Sequence, residues 1–518
     1  MKGKKISCII LCMALCLALS SCSRNGKNGQ NYDDAANELS ISIFDRGNVP
    51  ASEGSYEDNR WSQFIEQETG IKITWVPVPR ARSREALNTR FAAGTAPDLV
   101  VEFDRNFFVQ LYNQGVLASV DGFIKDYSTE YKQYLEDNAD LKQYVTFSDG
   151  KMYALTNRRA HVATRGVWVR KDWLDKLGLS MPTTNEELLD VLRVIVNSDP
   201  DGNGKKDTEG IVFNSNSAPF VFQDMFTCRD WYVEGDTVVN SRLTDRYEAY
   251  LTFVKTLYDE GLMYREYITD KTCQAQDQVW TSGNAAITWG AWGIGSSKYP
   301  SLVANIPSAD IMPMEMVSTQ FGRNGHFQDP PAQRYIALNN DIKNPKAAIK
   351  LLDWYLSDGW FPLTYGIEGE HYQLNDGVPV IIDKEKNKNE LDYNIDYVLL
   401  TKATSNPTWF TKKYPADPFN QKLGYLEGLA LETALKHTYR RDLPYTPDIN
   451  EIVMFNAEFD PILEEITETV ISKGAAMSPA QGMEKIRSEW VRLGGERIEQ
   501  LYQQWYDENK SQFISKTE

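Results

Sequence analysis

From residue 39 onward the chain alternates short apolar strands with helices closed by glycine, and nothing else in it restricts the fold as tightly. Leu39-Ser40-Ile41-Ser42-Ile43-Phe44 alternates apolar and small polar residues, the pattern of a strand. Residues 61–69 read as a helix with Gly70 placed to cap it, 71–76 as the next strand, and 84–93 as a helix ending at Gly94. Asp98-Leu99-Val100-Val101 opens a third strand. This alternation predicts an α/β fold with a largely parallel sheet. After a hairpin-like turn at Asp149-Gly150-Lys151-Met152-Tyr153, Val167-Trp168-Val169 reads as a strand. Residues 183–197 read as a helix whose Thr184 and Glu187 are spaced as a capping box and whose Leu188, Val191, Leu192, Ile195 and Val196 share a face. Residues 246–257 and 346–356 read as amphipathic helices, the second introduced by Pro345, and 451–506 as helical with a break at 473–479. At 518 residues the chain is too long for one core and suggests two or three domains.

The N-terminus combines Lys2, Lys4 and Lys5 with an apolar run of 14 residues, 6–19, which is short for a membrane span. Leu19-Ser20-Ser21-Cys22 then resembles a bacterial lipobox, in which the cysteine is acylated, with palmitate among its lipids, and becomes the mature N-terminus. We therefore expect a signal peptide over 1–21, lipidation at Cys22, a tether over 22–38 rich in Asn, Gly and Lys, and a body lipid-anchored at the extracytoplasmic face of the cell membrane. Cys8, Cys12 and Cys16 would leave with the leader. Cys228 and Cys273 remain, either as a disulfide or as two buried thiols. The formal net charge of −17 argues against a nucleic-acid partner and weakly against polyanions, though a local basic cleft can overrule the global sign.

Asp199-Pro200-Asp201-Gly202-Asn203-Gly204-Lys205-Lys206-Asp207 is the sharpest internal motif. Asp199, Asp201, Asn203 and Asp207 occupy positions 1, 3, 5 and 9 of an EF-hand-like loop, Gly204 its turning position 6, and the Lys205 carbonyl position 7. Carboxylates this close repel unless a hard cation neutralises them, and all-oxygen ligation points to structural Ca²⁺. Position 12 departs from the pattern: it holds Gly210, with Glu209 one residue early.

Several segments also resemble one family. Phe91-Ala92-Ala93-Gly94-Thr95-Ala96-Pro97-Asp98 looks like a signature of extracellular solute-binding proteins of ABC importers. Asp149 to Leu155 resembles their Asp-Gly-Lys turn, with Thr156 where proline is usual. Val169-Arg170-Lys171-Asp172-Trp173-Leu174-Asp175-Lys176-Leu177-Gly178-Leu179, Ser282-Gly283-Asn284-Ala285-Ala286 and Tyr365-Gly366-Ile367-Glu368-Gly369-Glu370-His371-Tyr372 resemble further landmarks, in the expected order. The loop at Asp199 follows at the spacing of the LplA/YtcQ lipoprotein branch, which is similar to alginate-binding proteins. The resemblance implies a type II periplasmic-binding-protein fold, with two α/β lobes around a hinged ligand cleft. Lobe 1 would comprise 39–157 and 311–360, and lobe 2 would comprise 163–310 and 361–518. The chain would cross near 157–163, 311–316 and 359–366. It also implies a monomeric binding protein, not an enzyme, that captures an extracellular carbohydrate, expected to be an oligosaccharide, and delivers it to the ABC permease in the membrane.

Sugars present apolar C–H faces and rings of hydroxyls, so a saccharide cleft needs aromatic platforms beside planar polar groups. Trp289 and Trp292, low in a glycine-flanked segment, lead the candidates, followed by Trp409. Asp45 and Arg46 end the first strand, where strand C-termini face the cleft of open α/β sheets. Trp231 and Tyr232 complete the set, whereas Trp61 and Trp173 lie on helix faces suited to the core. The competing readings are an extracellular carbohydrate-active enzyme (a hydrolase or lyase) working through paired carboxylates, and a surface lipoprotein that senses its ligand. None of His161, His326, His371 or His437 falls in an H-E-x-x-H motif, and Glu370-His371 reads as a hinge-region turn.

Overall fold

The computed structural model describes residues 37–214, 218–270 and 273–513. The expected signal peptide, Cys22 and nearly all of the tether lie outside the described residues. In chain order the strands are β1 (Glu38–Asp45), β2 (Lys72–Pro79), β3 (Leu99–Glu102), β4 (Leu155–Arg158), β5 (Arg165–Arg170), β6 (Glu209–Val212), β7 (Tyr232–Glu234), β8 (Thr237–Val239), β9 (Ala285–Ala291), β10 (Ile311–Met314), β11 (Ala332–Leu338), β12 (Tyr372–Asn375) and β13 (Val378–Ile381). Nine of them build two sheets, in the orders β2-β1-β3-β11-β4 and β10-β5-β9-β6. Each sheet has its own apolar core, and helices cover it.

The small polar residues of β1 stitch the first sheet together. The Ser40 N–H and hydroxyl donate to the Asp98 carboxylate at 2.8 and 2.6 Å, and the Ser42 hydroxyl accepts from the Val101 N–H at 2.9 Å. Pairing of β1 with β3 is otherwise brief, so Asp98 supplies part of the ladder. The expected helices form at Arg60–Thr69, Ser83–Ala92, Asn185–Asn197, Asp245–Asp259 and Pro345–Trp354. Three more, Asn450–Ser472, Pro479–Arg492 and Gly495–Asn509, cover the C-terminal region. Half of the expected capping box is present. Thr184 accepts from the Glu187 N–H, but Glu187 reaches back to the Thr183 N–H and hydroxyl instead of to Thr184.

Three expectations need correction. The sheets are mixed, not largely parallel: β11 runs antiparallel to β3 and β4, and β5 antiparallel to β9 and β10. The supposed return to the first lobe at 311–316 is β10, which pairs with β5 from Ile311 opposite Arg170 to Met314 opposite Val167. As an edge strand β10 tolerates Pro313, and its apolar side chains suit either sheet, so composition did not decide its place. The chain rejoins the first sheet only at β11. Conversely, residues after 360 do not pass at once to the second lobe. Leu363, Tyr393, Tyr397, Leu399 and Leu400 are buried in the first core. Cys228 and Cys273 are free thiols, the first buried and the second accepting from the Asn214 amide at 3.0 Å.

The helix after β9 (Ile294–Asn305) lies directly on β5. A Cβ at Gly295 would stand 2.0 Å from Cδ2 of Trp168, a fully buried ring. Overpacking of this kind costs about 1–3 kcal/mol. Gly295→Ala should therefore lower the thermal midpoint by several degrees, measured by differential scanning fluorimetry; an unchanged midpoint would mean that this contact is slack.

Candidate ligand-binding site

The strand directions decide where a ligand can sit. β4 ends at Arg158 and β5 begins at Arg165, while β10 ends at Met314 and β11 begins at Ala332. In the first sheet these points share an edge with the C-terminal ends of β1 and β3, since Tyr335 lies opposite Glu102. In the second they share an edge with the C-terminal ends of β9 and β6, since Arg165 lies opposite Ala291. Both connections join these two edges, so the edges face one another across a gap, the usual place for ligands of open α/β sheets.

The connecting segment 159–164 has cavities on two sides. One, of about 530 Å³, is lined by Asn157, Ala160, Arg334, Tyr365, Tyr372, Ile381 and Lys413, among others. The other, of about 350 Å³, is lined by Phe103, Asp104, Arg159, Asp230, Trp231, Arg441 and Tyr445. In it Arg159 pairs with Asp329 at 3.3 Å, and Arg441 donates to the Gln328 carbonyl at 2.7 Å. Asp230 accepts from the Tyr439 hydroxyl at 2.8 Å.

Trp292 stands at the gap edge of the second sheet, directly after β9, and is half-buried. Its backbone is held from both sides. The Trp292 N–H donates to the Thr164 carbonyl at 3.2 Å, and its own carbonyl accepts from the Trp168 indole at 2.8 Å. The ring meets His161 edge-on at 5.2 Å and Phe410 at 6.0 Å. Trp409 is half-buried on the short helix Trp409–Lys413 beside it. Asp45 and Arg46 stand at the end of β1. Arg46 is gripped there by the buried Asp396 at 2.6 and 3.1 Å, so much of its charge is already answered. Trp231 lines the smaller cavity with one face covered by Tyr502, the rings parallel at 3.9 Å.

Two candidates fall away. Trp289 is 2% exposed and packs on Phe222 and His326 in the second core, because the alternation of β9 turns it inward. Tyr232 is buried beneath the guanidinium groups of Arg246 and Arg440. Sequence reasoning missed Arg334, Tyr365, Tyr372 and Lys413 as lining groups and His161 as the neighbour of Trp292. Only their nearness to the crossing or to Trp409 hinted at them.

A profile of the bacterial extracellular solute-binding protein family matches residues 51–360. The chain belongs to that family. The polygalacturonan/rhamnogalacturonan-binding protein YtcQ of Bacillus subtilis is 24% identical over 98% of this chain and 99% of its own. The alginate-binding protein AlgQ2, solved without calcium ion, superposes with a TM-score of 0.68 at 19% identity, over 91% of this chain and 98% of its own. An EF-hand mutant of the Streptococcus pneumoniae substrate-binding protein FusA, in complex with fructo-nystose, gives 0.67 at 18% identity, over 92% and 100%. These likenesses agree with the two-lobed α/β fold, and family membership places the protein outside the cytoplasm. No described helix is long and apolar enough to cross a membrane.

In this solute-binding protein the loop at Asp199 is organised around its own carboxylates. Asp199, at φ +46°, accepts from the N–H groups of Gly202, Asn203 and Gly204 at 2.9–3.2 Å. The Asn203 amide bridges Asp201 and Asp207 at 2.6 and 3.0 Å, and Lys176 holds the loop by donating to the Pro200 carbonyl at 2.7 Å. A hydrogen bond shared with Asp201 holds the Asp199 carboxyl low, while burial, and then Asp199 itself, pushes Asp201 up. The donors are oxygens throughout and fit a hard cation. The fold also explains the departure at position 12. A Cβ at Gly210 would lie 2.0 Å from the Leu262 carbonyl oxygen, so no glutamate fits there. Glu209, half-buried at the start of β6, has its carboxyl pushed up by burial.

Among the described residues, the cluster whose ligand atoms do lie within 4.8 Å of one another is Glu370, His371 and Glu390. It is an ion-pair staple. Arg60 lies 2.5 Å from Glu390, and Lys386 lies 3.0 Å from Glu370. The Nδ1 of His371 accepts from the Ile367 N–H at 3.1 Å, so Nε2 keeps its proton and offers no lone pair to a metal. The expected hinge turn at Glu370-His371 is therefore fixed to the first lobe.

His326, on the 315–331 connection, donates from Nε2 to the Met314 carbonyl at 2.9 Å beside Glu315 and His437. Burial holds its pKa down at about 4. The unfolded imidazole titrates at about 6.5, so between those values the unfolded chain binds a proton that the native one refuses. Its contribution is complete above pH of about 6.5 and is lost as pH falls toward 4. The thermal midpoint should drop over that window, and His326→Gln should flatten part of the slope; parallel profiles would exclude this histidine as the source.

Proposed function

We propose that this solute-binding protein captures an oligosaccharide between its lobes and delivers it to an ABC permease. The carrying observation is the half-buried Trp292 at the gap edge, fixed by backbone bonds and flanked by His161 and Phe410. An indole so held gives a sugar ring an apolar face without reorganising. The relatives named above bind polygalacturonan, alginate or a fructose oligosaccharide, which supports the same class here. They are binding proteins, and we read this chain as a binder that returns its ligand unchanged. Lobe closure follows from differential affinity of the ligand for the closed arrangement. We further infer that Cys22 carries the lipid that tethers the protein at the membrane, and that it works as a monomer.

Isothermal titration against a panel of oligosaccharides tests the reading. One class should bind, with Trp292→Ala weakening it tenfold or more, about 1.4 kcal/mol, and chromatography should recover the sugar intact. Binding unaffected by Trp292→Ala would remove the platform, and cleavage of the sugar would favour the hydrolase or lyase reading.

We also propose that Asp199, Asp201, Asn203, Asp207 and the Lys205 carbonyl hold a structural Ca²⁺, with Glu209 or water completing the shell. The ion would pin the turn from helix Asn185–Asn197 into β6. Ca²⁺ should raise the thermal midpoint, EDTA should lower it, and Asp201→Asn should abolish the difference; an EDTA-insensitive melt would leave the loop a metal-free turn.

A further inference from the structure

A carboxylate is buried directly behind the smaller cavity. Asp224, at the end of the helix Ala218–Met225, is 2% exposed. The Tyr439 hydroxyl lies 3.2 Å from its Oδ1, and an Arg229 nitrogen lies 3.5 Å from its Oδ2. The Arg229 guanidinium is shared with two rings, 4.1 Å over Phe327 and 4.5 Å over Phe220. Burial outweighs both partners and Asp230 adds repulsion, so the Asp224 carboxyl is pushed up to about 7.

Tyr439 connects this buried acid to the gap. Its hydroxyl donates at 2.8 Å to Oδ2 of Asp230, which is exposed and lines the cavity of about 350 Å³ beside Trp231, Arg159 and Arg441. A phenol has one proton to give. Burial, and then the two carboxylates beside it, keep that proton on Tyr439 well beyond neutral pH. While Asp224 is ionised, both carboxylates compete for this one donor. Once Asp224 takes a proton from solvent, it can donate to the phenol oxygen, and the phenol proton goes to Asp230 alone. Among the described residues no other group hydrogen-bonds the Asp230 carboxylate, so this contact fixes its place in the cavity wall. The other neighbours of Asp224 do not substitute for the phenol. Cys228 stays a thiol, pushed far up by burial, and the Asn324 amide donates to the Asp224 backbone carbonyl at 2.9 Å, not to its carboxylate. Arg441 lies 5.3 Å from the Tyr439 ring.

We propose that Asp230 accepts saccharide hydroxyls in this cavity, beside the Trp231 ring, and that protonated Asp224 is a positioning residue which holds it there through Tyr439. Held by one oxygen, the Asp230 carboxylate keeps the other for hydroxyl donors. Binding is then proton-linked: the saccharide favours the arrangement in which Tyr439 serves Asp230 alone, so its capture draws a proton onto Asp224. This rests on the oligosaccharide reading above and adds to it a hydroxyl-recognising residue and a pH dependence.

The test is isothermal titration, in excess Ca²⁺ and across neutral pH, with kestose, galactotriose and trigalacturonate. Any of these that binds should do so roughly threefold or more tightly at pH of about 6 than at about 8, and heats in two buffers of different ionisation enthalpy should show proton uptake near neutrality. Asp224→Asn keeps the shape, and its amide can donate to the phenol oxygen as the neutral acid does. It should hold the tighter affinity across the range and take up no proton. Asp230→Asn, at an exposed position, should weaken binding roughly fivefold or more with a native-like melt. A pH profile equally steep in wild type and Asp224→Asn, or unchanged affinity in Asp230→Asn, would overturn the proposal and leave the oligosaccharide reading standing. If Asp224→Asn does not fold, the wild-type proton count decides alone, and no uptake overturns the proposal. Failure of all three saccharides at every pH would overturn both.

Discussion

β11 is the last strand to join the first sheet and sits inside it, hydrogen-bonded to β3 on one side and β4 on the other. Residues 38–158 therefore cannot complete that sheet. Without β11, the facing edges of β3 and β4 would leave rows of backbone groups unpaired. The chain must pass through the second sheet and return, and both passages attach to the same strand ends. The gap between the lobes is a consequence of this one insertion. The ends of β1, β3 and β9, with Arg46, Phe103 and Trp292, face it because the topology leaves them no other neighbour.

Local patterns in the sequence were informative wherever a single element decided the outcome. The serines of β1, the capping glycines Gly70 and Gly94 at φ +65° and +68°, Thr184, Pro345 and the break after Ser472 all act within a few residues, and each stands where its chemistry places it. The family landmarks carried the two-lobed fold. Assignment to a lobe was harder, because β10 and the segment 361–400 are apolar stretches that either core would accept. Partners distant in sequence decide between them: Arg170 for β10, and Trp61 and Asn59 for the segment bearing Glu390 and Tyr397. The tryptophans show the same limit within one strand. Trp289 and Trp292 are three residues apart in the same glycine-flanked motif, yet the first points into the core and the second comes after the strand has ended.

The segment 444–448 makes a further link that no local pattern announced. Arg105, buried at the start of the helix that follows β3 (Arg105–Asn113), donates to the Tyr144 carbonyl at 3.0 Å and to Asp448 at 2.5 Å, and stacks 3.8 Å from the Tyr445 ring. Trp505 covers Tyr445 from the second lobe. The strap thus touches both lobes beside the smaller cavity, and any change in lobe angle must turn around it or release it. A guanidinium fixed by two backbone or carboxylate partners and a ring is costly to strip, so turning is the cheaper motion.

Charge is what makes the gap chemically distinct. The protein as a whole is strongly acidic, and long-range fields on its surface repel anions. At the facing strand ends the balance is different. Arg46 and Arg159 are tied to Asp396 and Asp329, Arg80 lies 3.8 Å from Glu102 and over the Phe44 and Phe103 rings, and Arg334 and Arg441 rest on backbone carbonyls. With the lobes apart, water screens these groups and holds a ligand only weakly; with the lobes together, water leaves and the same contacts strengthen. A ligand gains from that change only if it touches both sides. Its affinity for the closed arrangement then exceeds that for the open one by the full value of the second set of contacts, and that difference alone moves the equilibrium. The selecting contacts are therefore made after the solvent, and most of the long-range field it transmits, has been excluded.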